Sequence, residues 1–398
     1  MSFIIPSNIA QKVIESLRNG IPPEQFIEQF TVGRKEKITE LRTLLSYSER
    51  NMRIQPLPKT AFLLSANYGT GKTHLLKLIR KFALEQKYAV SFISLDGQEC
   101  RFNRMDHVLS WICRNLEFPN ISGNINNPLK GISSLFDLIF ELSRGENNEI
   151  KRRIIRLIRT SHIELNSPAI YTALKLWVIQ MLREDDYDKD EISDWFYNLD
   201  KKDEPGILKE NIRKLKEFPF SMRNWSNFRC ENYKQSWDGL DDIDKLLKIA
   251  GFNGLILLFD EFEKCIQDLN DRRYQETALD NMLRFFRSGY NNLAFFAITP
   301  DFNNEITNLI LYKGIDFDFN RIDKLDTFEM EPLSEDEVFE LAKKIIDVHF
   351  KAYNWEIAKE NLEEKCRAIC YERMNMATQD RVRNTIKNIV NMLDSLME

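Results

Sequence analysis

The chain is poor in the residues that mark secreted, metal-binding and membrane proteins. Six cysteines lie scattered over 398 residues with no CxxC pair, and the four histidines are equally dispersed. Structural zinc needs paired ligands at short spacing, and only Cys366 and Cys370 approach that, one helical turn apart. Two buried thiols on one helix face describe that pair better, and free thiols fit a reducing, cytoplasmic compartment. No run reaches the roughly 18 apolar residues of a membrane span. Residues 1–7 lack a basic segment leading into a long apolar one, so no signal peptide is expected. Nor is positive charge in excess: 56 Lys and Arg against 61 Asp and Glu leave a formal net charge of −5. That excludes a generally basic nucleic-acid coat, though not a local basic patch.

Hydrophobic residues make up 43% of the chain, enough for real cores, and the length allows about two or three domains, or one with a large insertion. Residues 8–20 carry apolar side chains at Ile9, Val13, Ile14 and Leu17, a helical period that stops at Gly20. Pro22 and Pro23 break the chain, and a second helix is expected after Val32-Gly33-Arg34. Thr60–Ala66 then reads as a strand running straight into Asn67–Thr73, followed by helical periodicity over His74–Gln86 and a strand over Tyr88–Asp96. This order makes one βαβ unit. Further apolar runs at Leu255–Phe259, Leu293–Ile298 and Leu325–Met330 bring the expected strands to five, in a doubly wound, parallel α/β sheet whose chemistry gathers at the strands' carboxyl ends. Residues 121–250 are far more than a crossover helix requires and read as a helical insertion. Ser334–Glu337 is a capping box that opens an amphipathic helix with Val338, Leu341, Ala342, Ile345 and Ile346 on one side.

Ala66–Thr73 fits the P-loop pattern, with alanine for the first glycine. Polyphosphate needs backbone N–H groups turned inward at a helix N-terminus, and Gly69 and Gly71 let the loop curl that tightly. Tyr68, Thr70 and His74 flank it, Lys72 is placed to reach the β- and γ-phosphates of ATP, and the Thr73 hydroxyl to ligate Mg²⁺. Asp260 closes the Leu255–Phe259 strand, where it can hold the Mg²⁺ water shell, and Glu261 can polarise the attacking water. Thr299 closes the neighbouring strand and can hydrogen-bond the γ-phosphate or the water; alternatively it only starts the turn at Pro300. Lys151–Arg159 places Arg152, Arg156 and Arg159 on one helix face, suited to DNA or an acidic partner, or simply solvated. The aromatics Trp195, Phe196, Tyr197, Trp225 and Trp237 read as packing within the insertion.

These residues resemble the AAA+ ATPases, in particular the origin-recognition, initiator-like clade, whose Gly-Arg element near the N-terminus corresponds to Gly33-Arg34. They are more closely similar to the BREX phage-defence ATP-binding proteins. The similarity rests on Leu17-Arg18-Asn19-Gly20, Val32-Gly33-Arg34, Tyr68–Thr73, Ala250–Leu255, Asp260–Glu263 and Thr299-Pro300, and is loosest over 121–240. It implies an AAA+-like ATPase core in residues 1–120 and 251–332, the insertion at 121–250 and a helical lid at 333–398. It also implies that Gly33 and Arg34 lie against the adenine, that Arg383 is the lid arginine and that Arg321, an approximate match, acts across a subunit boundary. ATP binding and hydrolysis with Mg²⁺, other defence-system proteins as partners, DNA and a homo-oligomer follow as expectations. A nucleotide-state switch with little turnover and an initiator-like DNA clamp stand as alternatives.

Overall fold

The computed structural model describes residues 5–51, 60–95, 100–120, 123, 125–183, 187–199, 228–286, 293–314, 325–374 and 380–397. A single sheet runs β4-β3-β2-β5-β6-β1-β7. The five expected strands are present as β1 (Ala61–Ser65), β2 (Ala89–Ser94), β5 (Leu255–Asp260), β6 (Leu293–Ile298) and β7 (Thr327–Glu329), all parallel to one another. Every residue of β5 and β6 is buried, as the central strands of a sheet covered on both faces must be. The expectation of five strands needs correcting to seven. β3 (Leu116–Phe118) pairs antiparallel with β2, and β4 (Leu129–Lys130) antiparallel with β3, extending one edge. Strands of three and two residues are too short to show alternation, so no periodicity announced them.

Helices α2 (Lys35–Asn51) and α3 (Lys72–Glu85) cover one face of the sheet, where Leu75, Leu76, Ile79 and Phe82 meet Phe62, Leu64, Leu258 and Phe295. The opposite face packs Leu63, Leu257, Phe259 and Phe296 against α4 (Met105–Arg114), the insertion helices α5 (Gly131–Arg144), α6 (Asn148–Glu164), α7 (Pro168–Arg183) and α8 (Tyr187–Tyr197), and α9 (Cys230–Ile249). A short helix after the central strand, α10 (Phe262–Gln267), and the helices α11 (Arg272–Phe286) and α12 (Phe302–Lys313) join this same core. Trp195 and Trp237 are buried in it, so both serve packing. The insertion therefore shares one continuous core with the sheet.

A separate core joins the two ends of the chain. Ala10, Val13, Ile14 and Leu17 of α1 (Ser7–Arg18) pack on α13 (Glu335–Tyr353) and α15 (Arg381–Met397), in one core with α14 (Lys359–Met374). The period of α1 showed that it buries a face; its partner lies more than 300 residues away, beyond the reach of periodicity. Arg18 fastens it, donating from Nε and Nη2 to the two Asp394 carboxyl oxygens, each at 2.9 Å. Asp394 also meets His349 Nε2 at 2.9 Å, and Trp355 Nε1 donates to His349 Nδ1 at 2.8 Å. The capping box at Ser334 forms as expected. Cys366 and Cys370 are free and buried in this core. Among the described residues, no helix is long and apolar enough to cross a membrane.

Candidate functional site

β1 ends at the carboxyl edge of the sheet and its chain turns through Ala66–Gly71 into α3. Gly71 caps that helix at φ +94° and Gly69 sits at φ +73°, left-handed conformations that side chains resist. A Cβ on Gly71 would also stand 3.3 Å from the Arg34 guanidinium. The turn thus directs the first N–H groups of α3 at an open cleft, with the positive end of the helix behind them. Lys72 is 7% exposed and donates to the Ala66 carbonyl at 2.7 Å, with its ammonium 4.9 Å from the Tyr68 ring centroid. Burial lowers its pKa, against the pull of the Glu263, Asp260 and Glu261 carboxylates.

Two strands away, β5 delivers Asp260 to the same edge. Thr73 Oγ1 donates to Asp260 Oδ2 at 2.6 Å, joining the glycine-rich turn to the strand end. Burial raises the Asp260 carboxyl, and the Thr73 hydrogen bond opposes that rise. Glu261 follows at φ +56°, a strained backbone for a side chain, steadied where its N–H donates to Asp260 Oδ1 at 3.1 Å. Lys264 Nζ holds Glu261 Oε2 at 2.6 Å.

The cleft measures about 1060 Å³, its open mouth included. Arg34, Tyr68, Gly69, Thr70, Gly71, Lys72, Thr73 and His74 line one end with Asp260 and Glu261, and Arg383 reaches it from α15. Arg34 donates to the Thr70 carbonyl, and burial lowers its pKa. Thr31 Oγ1 has one proton, given to the Ile27 carbonyl at 3.0 Å, so His74 Nε2 at 2.8 Å must be the donor to Thr31. Burial, then the Arg34 and Lys77 charges, push His74 down to about 3, so it is neutral.

Other expected residues fall elsewhere. Gly33 does not line the cleft; it lies against the start of α13, where a Cβ would meet Glu337 Oε1 at 2.1 Å. Thr299 is buried behind β6, accepting from Phe302 N–H at 3.1 Å, and is absent from the cleft wall. Arg321 and Trp225 lie outside the described residues. Arg381, two positions before Arg383 on α15, donates instead to the Met374 carbonyl at 3.3 Å. Arg152, Arg156 and Arg159 do share an exposed face of α6, with Arg156 paired to Glu164 at 3.1 Å.

Sequence reasoning missed the apolar wall at the other end of the cleft, made by Leu17, Ile21, Pro22, Val382 and Ile386. Those residues come from both ends of the chain, and nothing local in the sequence pairs them. It also missed Glu263, whose only signal was a second glutamate two positions after the first. The arrangement suits a ligand with an anionic end at α3 and a flat apolar end under the lid. The paired Thr73 and Asp260 oxygens suit a hard cation, since both are oxygen donors.

A family model described as BREX system ATP-binding protein BrxC/D matches residues 5–195 and 232–398. No curated protein and no solved structure matches the chain.

Proposed function

From the chain's place in the BREX system ATP-binding protein family, to which it belongs, we propose that it binds ATP with Mg²⁺ and hydrolyses it while serving that defence system with other proteins of the system. The observation that carries this reading is the 2.6 Å contact between Thr73 and Asp260, which gathers a phosphate cradle and an acidic strand end at one point.

In this reading the N–H groups after Gly69 receive the phosphates, Lys72 leaves the Ala66 carbonyl for them, and Arg383 approaches from the lid. The Leu17, Ile21, Val382 and Ile386 wall takes the adenine. Thr73 and Asp260 hold Mg²⁺, directly or through water, and the ion neutralises phosphate charge when bound. Glu261, released by Lys264, accepts the proton of the attacking water. The exposed Arg152, Arg156 and Arg159 face supports contact with DNA or an acidic partner.

The Glu261–Lys264 ion pair favours a second reading, a nucleotide-state switch with slow turnover, because it engages the carboxylate that would act as base.

Lys72→Ala tests the site. Losing a charged donor to phosphate should weaken ATP binding by about 10–100-fold or more in titration calorimetry. Unchanged affinity would place nucleotide elsewhere.

A further inference from the structure

We propose that Arg34 is a phosphate ligand, gripping the phosphate of the nucleotide that lies nearest the base, and not an adenine contact. The inference rests on the ATP reading above and gives that site a second cation from outside the glycine-rich turn.

Arg34 is tied down at its root. Its carbonyl accepts Ile38 N–H at 3.0 Å, which closes the first turn of α2. From there the side chain crosses to the turn before α3. Nη2 donates to the Thr70 carbonyl, and a Cβ on Gly71 would stand 3.3 Å from Arg34 Nη1 and 3.7 Å from the His74 Cβ. The guanidinium therefore lies against the first turn of α3, where that helix presents its N–H groups and its positive end. Among the described residues it makes no ion pair, and the Thr70 carbonyl is its one hydrogen-bond partner. Glu337, whose charge reaches it from a distance, accepts instead from Ser334 N–H at 2.7 Å.

A guanidinium carries five N–H donors in a flat fork, and one carbonyl uses one of them. Burial of the charge is a cost, and nothing on the protein side answers it. Adenine has no charge to answer it either. A phosphate does, and its oxygens match the fork two at a time. Position along the cleft selects which phosphate. Lys72 lies on the Ala66 carbonyl at the start of the turn, and Thr73 joins Asp260; in the reading above these hold the outer phosphates and the cation. Arg34 lies at the end of the turn, and in the chain it follows Thr31 and Val32, which line the cleft with the apolar wall. It thus stands between cradle and wall, on the path of the phosphate that joins the base end to the rest.

Arg34→Ala is expected to weaken ATP and ADP by the same factor, about 10–100-fold in titration calorimetry, because both carry that phosphate. Inorganic tripolyphosphate has no base, so it tests the phosphate contact alone. It is expected to displace a fluorescent ADP analogue from the wild type, and its own affinity should fall by a similar factor in the variant. Arg34→Gln, polar but uncharged, should bind as weakly as Arg34→Ala. In that second variant, without nucleotide, the Leu75 amide, which donates to the Gly71 carbonyl at 3.0 Å, should exchange as in the wild type. Unchanged ADP affinity in both variants, or a loss confined to ATP, overturns the proposal. So does tripolyphosphate that fails to bind the wild type or binds the variants equally well, the latter by placing Arg34 against the base. Faster Leu75 exchange, recovery of binding in Arg34→Gln, or failure of both variants to fold would make Arg34 a support for the turn and overturn it too. Wild-type protein that binds neither ATP nor ADP would instead overturn the ATP reading itself.

Discussion

Gly33→Ala should loosen the first turn of α13 through a collision that can be worked out atom by atom. Gly33 sits at φ +70°, so an alanine there pays left-handed backbone strain of about 1 kcal/mol. Its Cβ would stand 2.1 Å from Glu337 Oε1 and 2.4 Å from Glu337 Cδ, far inside contact distance. The glutamate is the flexible party and must rotate away. It then gives up the 2.7 Å hydrogen bond that Oε2 accepts from Ser334 N–H, half of the capping box that starts α13. Loss of a cap of this kind costs about 1 kcal/mol. The sum is about 2 kcal/mol, a roughly 30-fold change in the local opening equilibrium.

A chain with more than one core need not unfold in one step, so a melting temperature is the wrong readout. Hydrogen exchange at the first-turn amides of α13, Glu337 and Val338, reads the loss locally. A double-mutant cycle then separates the two causes. Glu337→Ala alone forfeits the cap, and adding Gly33→Ala to it should cost only the backbone strain, about half its effect in the wild-type background. The reasoning is refuted if Gly33→Ala costs the same with and without the Glu337 carboxylate, or if exchange in α13 does not change.

Glu261→Gln should retain ATP while slowing phosphate release by about 100-fold or more, the usual effect of losing a general base; equal turnover would reject Glu261 in that role. Asp394→Asn tests the clamp on α1. Burial opposes it, but hydrogen bonds from Arg18 and His349 hold the Asp394 carboxyl below its ordinary value, so its stabilisation is present above about pH 4 and fades as pH falls through the lower folded value. The variant should lose about 2 kcal/mol at pH 7 and converge on wild type in strong acid, as read by exchange in α1; a gap independent of pH would refute the ion pair. His349 adds a second slope. Burial lowers its folded pKa despite Asp394, so wild-type stability should begin to fall below about pH 6.5, where the unfolded histidine takes up its proton. Changing Arg152, Arg156 and Arg159 together to glutamate should weaken DNA binding and flatten its salt dependence; no change would return that face to simple solvation.

What the sequence disclosed and what it hid divide along a physical line. β5 and β6 were legible because a central parallel strand must be apolar throughout, and the turn between β1 and α3 was legible because tight curling demands glycine. The Ser334 capping box was readable for the same local reason. Features that depend on partners distant in the chain were not. α1 displayed an apolar face without saying that α13 and α15 cover it, and Gly33 displayed conformational freedom without saying that Glu337 requires the space. Glu263 stood in plain view beside Glu261, yet alternation of side chains around a helix start does not tell which of two glutamates enters the core.

The placement of α1 bears on how a nucleotide would be felt by the protein. The cleft has one wall on the sheet core, the turn before α3 with Asp260 and Glu261, and one on the terminal core, Leu17 of α1 with Leu341, Val382, Arg383 and Ile386. Between them runs a short polar relay: Lys344 of α13 donates to the Thr31 carbonyl at 3.3 Å, and His74 of α3 meets the Thr31 hydroxyl at 2.8 Å. A ligand that fills the cleft touches both cores, so its binding energy depends on their separation. It must therefore shift the population toward whichever separation it contacts best. Because α1 is clamped to α15 through Arg18 and Asp394, and Arg34 donates to the Thr70 carbonyl, the residue 20–34 segment is tied to the terminal core at its start and to the turn before α3 at its end. Gly20 packs directly under two side chains of α15, since a Cβ there would stand 2.6 Å from Lys387 and 2.7 Å from Arg383. Gly20 and Arg34, at the two ends of that stretch, both line the cleft, so a ligand there contacts the connecting segment as well as both cores.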